Sequence, residues 1–283
     1  MPLLDQPGVK QSSNANGLPL LELSTEHFDA VISLSGAQLL EFRQQGAQPL
    51  LYLSPQADLG PEKVIRGGVP VCWPWFGPHP DDTSAALHGI ARTALWQLQA
   101  INRTAEGFQV DLKGPRFGDL SAEIRYTLGK DILIELRTSN HGTTVQNYTA
   151  ALHTYLAIGD AEKAHVTGLK NTRYLDKVSK QSGQYQDDTV SCVGEIDRIV
   201  YTAGPLKLVD QAWNRTIRVD ALGSNSMVLW NPGEIKARAI GDLPDNDWHA
   251  FFCIESANAG EDAKQLAAGS SHTLGTRIAT IPL

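Results

Sequence analysis

Apolar residues recur at every second position over short stretches of this chain, and Gly, Pro and Asn separate the stretches. SAEIRYTLGKDILIELRTSN (121–140) is the clearest case. Ile124, Tyr126 and Leu128 fall on one face, Gly129-Lys130-Asp131 supply a turn, and Ile132, Ile134 and Leu136 resume the alternation. A period of two around a glycine-led turn specifies an antiparallel hairpin with one face buried. TIRVDALGSNSMVLWNPG (216–233) repeats the device around Gly223-Ser224-Asn225 and closes at Asn231-Pro232-Gly233, so a second hairpin is expected. Residues 28–42, 108–114, 148–159, 250–258 and 272–283 also read as strands, while helical periodicity is confined to short turns near 61–66 and 260–268. Many short strands at close spacing predict an all-β sandwich or barrel. No linker or composition shift divides the 283 residues, so a single domain over 1–283 is expected, with the polar stretch to about residue 18 loosely held.

Charge and cysteine usage narrow the function classes. A net charge of −7 argues against a general nucleic-acid or membrane-surface binder, since both want a basic face. An anionic ligand would have to be met locally by particular arginines. Cys72, Cys192 and Cys253 are odd in number and far apart, which reads as reduced thiols rather than a disulfide framework. The first residues lack the basic start and apolar block of a signal peptide, and no apolar run reaches membrane-spanning length. We expect a cytoplasmic monomer with no membrane or nucleic-acid partner.

The residues equipped for chemistry are few. RGGVPVCWPWFGP (66–78) is too rich in Pro and Gly for a helix or a strand interior. It reads as a stiff wall led by Arg66, with Gly67-Gly68 allowing close backbone approach to a ligand, and with core packing as the alternative for Trp73, Trp75 and Phe76. Arg92 closes HGIAR (88–92). Two guanidiniums offer forked donors suited to phosphate or carboxylate; pairing with a surface acid such as Glu62 or Asp81 is the competing reading. His153 lies in ALHTYLAIGD, sharing a side with Tyr155 and Ala157. It is either a hydrogen-bonded core histidine or a proton donor with an ordinary pKa of about 6.5. Glu255 ends the apolar run FFCIE, where a carboxylate is costly unless paired, hydrogen-bonded or used, and where desolvation makes it a competent base. Asp197, in GEIDRIVY, could accept from sugar hydroxyls or cap a turn. His27, His79, His141, His165, His249 and His272 sit in polar settings and read mostly as surface residues. No HExxH, His-x-His or Cys/His cluster, no GxGxxG or Walker loop and no GxSxG elbow occurs, so neither a resident metal nor a cofactor is expected. Acid–base chemistry by His and Glu remains, with arginines for an anion.

RGGVPVCWPWFGP, HGIAR, ALHTYLAIGD, GEIDRIVY, WNPG (230–233), GDLPDNDW (241–248) and CIESANA (253–259) together resemble, in this order, the hexose-6-phosphate mutarotases, the glucose-6-phosphate 1-epimerases of the aldose 1-epimerase superfamily, and their bacterial branch most. The resemblance runs from about residue 28 to the C-terminus. It implies a large antiparallel β-sandwich of the galactose mutarotase-like kind, often called a supersandwich, with a phosphorylated hexose held on one sheet face. It implies His153 as general acid, Glu255 as general base, and Arg66, Arg92 and Asp197 as substrate contacts, with His88 at the same site. Some relatives carry Gln just before that histidine where this chain has Leu87, so a polar contact to the sugar is either missing here or supplied elsewhere. Two rival readings are a glycoside hydrolase using Glu255 and Asp197 as its carboxylate pair, and a non-catalytic carbohydrate-binding β-sandwich.

Overall fold

The computed structural model describes residues 6–283. The hairpin expected at 121–140 forms, with Leu120–Leu128 and Ile132–Asn140 antiparallel and Tyr126 opposite Ile134. Ile124, Tyr126, Leu128, Ile132, Ile134 and Leu136 are buried, while Glu123 and Arg125 between them face water. The hairpin belongs to a nine-stranded antiparallel sheet. Its order is Thr189–Ser191, Ala164–Thr167, Leu206–Asp210, Arg215–Leu222, Ser271–Pro282, Ile132–Asn140, Leu120–Leu128, Phe108–Phe117 and Gln97–Arg103.

A second, eight-stranded antiparallel sheet runs Gln181–Gln184, Arg173–Asp176, Ile196–Val200, Ser226–Asn231, Phe251–Asn258, Ala150–Leu152 and Val71–Cys72, with Tyr155–Ala157 also paired to Phe251–Asn258. Phe251–Asn258 packs on Arg215–Leu222 and Ser271–Pro282, which lays one sheet on the other. Phe252, Ile254, Val219, Leu274 and Ile278 share the buried cluster between them. A four-stranded sheet (Val9–Ser13, Pro19–Ser24, Phe28–Ser33, Gln38–Gln44) and the pair Gln146–Tyr148 with Lys264–Leu266 complete the β structure. Among the described residues the one α-helix is Gly233–Ala237. The fold is thus the expected antiparallel β-sandwich.

Several local expectations are corrected. Residues 216–233 do not form a hairpin. Arg215–Leu222 lies in the nine-stranded sheet and Ser226–Asn231 in the eight-stranded one, so the chain crosses between layers at Gly223-Ser224-Asn225. Met227, Val228 and Leu229 are buried in succession, which requires cover on both faces. The crossing is pinned by the Ser224 hydroxyl, which donates to the Ser226 carbonyl at 2.7 Å, and by the Asn225 N–H, which donates to Asp262 at 3.0 Å. The run 28–42 is two strands around a tight connection. No helical turn forms at 61–66, and 260–268 holds the 3₁₀ turn Gly260–Asp262 followed by the strand Lys264–Leu266. The N-terminal stretch expected to be loose carries Val9–Ser13, zipped antiparallel to Pro19–Ser24; residues 1–5 of that stretch lie outside the described residues.

The strand expected over 148–159 is broken at His153-Thr154 into Ala150–Leu152 and Tyr155–Ala157. There the His153 N–H donates to the Pro70 carbonyl at 3.0 Å, in register with the pairing of Leu152 and Val71, while the Thr154 N–H turns back to Leu152 and interrupts the ladder to Phe251–Asn258. Continued pairing lays His153 beside Pro70, in the segment that follows Arg66.

Candidate active site

Phe251–Asn258 is buried at all eight positions. Alternation sends Phe252, Ile254 and Ser256 toward the other sheet and Cys253, Glu255 and Ala257 to the outer face. Val228 lies across from Glu255 and Trp230 across from Cys253; on the next strand Ile199 opposes Val228 and Asp197 opposes Trp230. Directly paired residues share a face, so Glu255, Trp230 and Asp197 rise from one surface. Cys72, Ala151, Ile199, Val228, Ala257 and Ala259 form its apolar floor. From the other side Tyr155 opposes Cys253, and the His153 ring stacks on Tyr155 at 4.9 Å and 10°. His153 and Glu255, separated by about a hundred residues of chain, thereby meet with Nε2 3.4 Å from Oε1.

That contact lacks hydrogen-bond geometry. Both carboxylate oxygens of Glu255 and Nδ1 of His153 are buried without a hydrogen-bond partner among the described residues. Each such atom costs about 1–3 kcal/mol. Three of them on two touching side chains mark a place where folding energy has been set aside for another purpose. Glu255 is only 1% exposed; burial pushes its carboxyl well above the usual range, the nearby Asp197 charge adds to this, and Lys177 opposes it. Burial likewise holds the His153 imidazole well below its ordinary value, and His88, Arg66 and Arg92 push the same way. Both shifts favour uncharged forms, so together the pair holds one proton.

The remaining expected residues surround this centre. Arg66 donates from Nε to Asp242 at 3.1 Å and from Nη1 to the Tyr155 hydroxyl at 3.0 Å; neither Glu62 nor Asp81 pairs with it. Gly67 and Gly68 are required by the chain's own packing. At φ +121° and +59°, a Cβ would stand 2.5 Å from the Tyr52 carbonyl oxygen and 2.3 Å from that of Leu39. Arg92 donates from Nη2 to the Leu87 carbonyl and has no ion pair among the described residues. His88 is held at φ +65°, a left-handed conformation that costs a non-glycine residue about 1–3 kcal/mol. Its Nδ1 accepts the Gly77 N–H at 3.2 Å, and burial, then Arg92, Lys177 and Arg66, bring its pKa down to about 3. It is therefore a neutral imidazole whose Nε2–H can donate, 5.9 Å ring to ring from His153. Asp197 is ion-paired to Lys177 at 3.2 Å.

The aromatic run divides. Trp73 is fully buried and donates to Thr138, and Trp75 donates to the Ala86 carbonyl, so both are core residues. Phe76 alone of the three borders the site, tilted against His88 at 4.9 Å. Sequence reasoning did not single out Tyr155, Trp230, Asp242 or Lys177. Tyr155 carried a signal, its shared parity with His153, and Trp230 and Asp242 lie inside the quoted motifs. Lys177 sits in an ordinary strand end, YLDKVSK, with no signal at all.

Comparison with known proteins gives the family. The family model described as aldose 1-epimerase matches residues 19–279. A protein of Escherichia coli K12 named "Putative glucose-6-phosphate 1-epimerase" is 31% identical over 275 residues, covering 93% of this chain and 92% of that one. One of the same name from Cenchrus ciliaris is 32% identical over 248 residues, 81% of this chain and 74% of its own. The crystal structure of a "putative mutarotase (YeaD)" from Salmonella typhimurium superposes with a TM-score of 0.91 at 28% identity, covering 100% of this chain and 97% of that one. A galactose mutarotase-like protein from Clostridium acetobutylicum shares the fold at a TM-score of 0.72 and 13% identity, over 97% and 98% of the two chains. On the match across 19–279, this chain belongs to the aldose 1-epimerase family.

Proposed function

We propose that this protein interconverts the α and β anomers of hexose 6-phosphates, glucose 6-phosphate foremost, by opening and reclosing the sugar ring. The observation that carries the reading is the buried Glu255–His153 contact, whose carboxylate oxygens have no hydrogen bond of their own. The two groups stand side by side, which suits service to O1 and O5, two oxygens bonded to the same carbon. Glu255 as carboxylate takes the proton of the C1 hydroxyl. The O–H electrons form the C1=O bond, the C1–O5 bond breaks, and O5 takes a proton from the His153 imidazolium. Rotation about C1–C2 and reclosure on the other face returns both protons. The pair carries one proton before and after opening; only its seat changes. Burial favours the seat on Glu255, which is the state matched to the open aldehyde.

His88 can donate from Nε2 to a sugar oxygen, and Asp197 can accept from hydroxyls. Arg92, free of carboxylates, is the stronger anion reader, because Arg66 already shares its charge with Asp242. The relatives named for glucose 6-phosphate epimerisation support the substrate class. A glycosidase would use Asp197 and Glu255 as two working carboxylates. Here Asp197 faces a lysine and Glu255 an imidazole, which favours anomer exchange.

The test is NMR magnetisation exchange between α- and β-glucose 6-phosphate, with and without protein, beside unphosphorylated glucose. Protein-dependent exchange that is faster for the phosphorylated sugar is expected. Binding without faster exchange would reduce the protein to a carbohydrate-binding sandwich.

A further inference from the structure

We propose that Lys177 is a specificity-determining residue that contacts the substrate's phosphate, an inference that rests on reading the substrate as a phosphorylated hexose. Leu175 opposes Ile199, a residue of the apolar floor, and Lys177 follows two positions on, at the end of the strand Arg173–Asp176. That parity delivers its side chain to the face that carries Glu255. The ammonium lies 3.2 Å from Asp197 and 5.5 Å from the centre of the Phe76 ring, and the Lys177 N–H donates to the Asp197 carbonyl at 2.8 Å. Main chain and side chain are thus both tied to one acidic residue, while the side chain remains 35% exposed.

The charge balance of the pocket says what this cation is for. Arg66, Arg92 and Lys177 all lower the His88 pKa by their charge; Asp242 is paired with Arg66 and Asp197 with Lys177. Three cations face two ion-paired carboxylates, and the Glu255–His153 pair, sharing one proton, adds no net charge, which leaves a local positive excess in a chain whose net charge is −7. That excess suits a phosphate better than a neutral sugar. Lys177 and Arg92 are the members with capacity to spare. An ammonium has three donors and can keep Asp197 while it takes a phosphate oxygen; Arg92 gives only Nη2 to Leu87. The competing role is indirect: Lys177 would only neutralise Asp197 and so modulate proton binding by Glu255.

The experiment compares wild type, Lys177→Met and Lys177→Arg by NMR exchange on glucose 6-phosphate and on glucose. We expect Lys177→Met to lose about 10- to 100-fold in kcat/KM on glucose 6-phosphate, mostly through KM, with a several-fold smaller loss on glucose and partial recovery in Lys177→Arg. Equal losses on both sugars with a displaced alkaline limb would overturn the proposal in favour of the indirect role, and no loss on either sugar would overturn it outright. A wild-type protein without preference for the phosphorylated sugar would instead remove the substrate reading on which the proposal rests. That result is read before any variant is made.

Discussion

Two acid–base contacts lie buried in this protein at the same separation, and under the proposed function they serve opposite purposes. Asp210 and Arg215 face each other across adjacent strands of the nine-stranded sheet, with Nε 3.4 Å from Oδ2; His153 and Glu255 meet at 3.4 Å on the outer face of the other sheet. Around the first pair the backbone closes in. Arg215 donates from Nη2 to the Pro49 and Ala157 carbonyls at 2.9 and 2.6 Å, and Asp210 accepts from the N–H groups of Gly159 and Trp213. Around the second pair rings pack but no hydrogen bond closes in: His153 Nδ1 and both Glu255 oxygens are unpartnered among the described residues, whereas in the first pair only Arg215 Nε is. Distance alone does not separate a clamp from a reaction centre. What separates them is whether the partners' remaining donors and acceptors are already spoken for, and whether the cation can release its proton, which arginine cannot and histidine can.

The contrast can be broken at either end. The largest effect belongs to Glu255→Gln, which should slow catalysed anomer exchange by about 100- to 10,000-fold, read by the same NMR experiment. Its stability should move the other way. Because burial raises the folded-state pKa of Glu255 above its unfolded value, the protonated carboxyl stabilises the fold only at low pH. The wild type therefore loses stability as pH climbs past the ordinary carboxyl range of about 4.3, while the glutamine variant does not ionise. The two should melt together near pH 4, and a gap in favour of Glu255→Gln should open as pH rises. A gap that closes with rising pH would mean that Glu255 is a stabilising carboxylate, like Asp210.

Asp210→Ala should do the reverse. Leaving Arg215 buried and unpaired costs about 3–5 kcal/mol, seen as a lower urea midpoint, with exchange per folded molecule close to wild type. A large loss of activity in well-folded Asp210→Ala would erase the distinction between the two pairs. The smallest effect sharpens it. Asp197→Asn removes a negative charge that raises the Glu255 pKa and releases Lys177, which lowers it. The alkaline limb of the pH–rate profile should move to lower pH, whatever happens to the maximal rate. An unmoved limb would assign it to another group.

The sequence was most legible where one rule acted alone. At 121–140 a single buried face and a glycine turn leave one solution, and the hairpin forms as read. Glu255 was legible because a carboxylate within Phe-Phe-Cys-Ile violates burial rules, and it is indeed 1% exposed. The error at 216–233 has a physical reason. Gly223-Ser224-Asn225 serves a hairpin and a layer crossing equally, and only the unbroken apolar run Met227-Val228-Leu229 hints that its strand is covered on both faces. The interruption at His153-Thr154 was invisible for a similar reason: the alternation continues through it, and the Thr154 N–H turns back to Leu152 with no change of residue type to announce it. Lys177 could not be found at all, because its partners Asp197 and Phe76 are brought to it by sheet order.

The carbonyl of Leu87 carries a lesson about drift. Arg92 is anchored to that main-chain oxygen, while Leu87 as a residue is 55% exposed. Every amino acid supplies the same oxygen, so the guanidinium keeps its seat whichever side chain stands at this position. Substitution here is free to alter what the rim offers an incoming sugar without loosening the cation beneath it. Such a position can diverge between lineages while the chemistry below stays put.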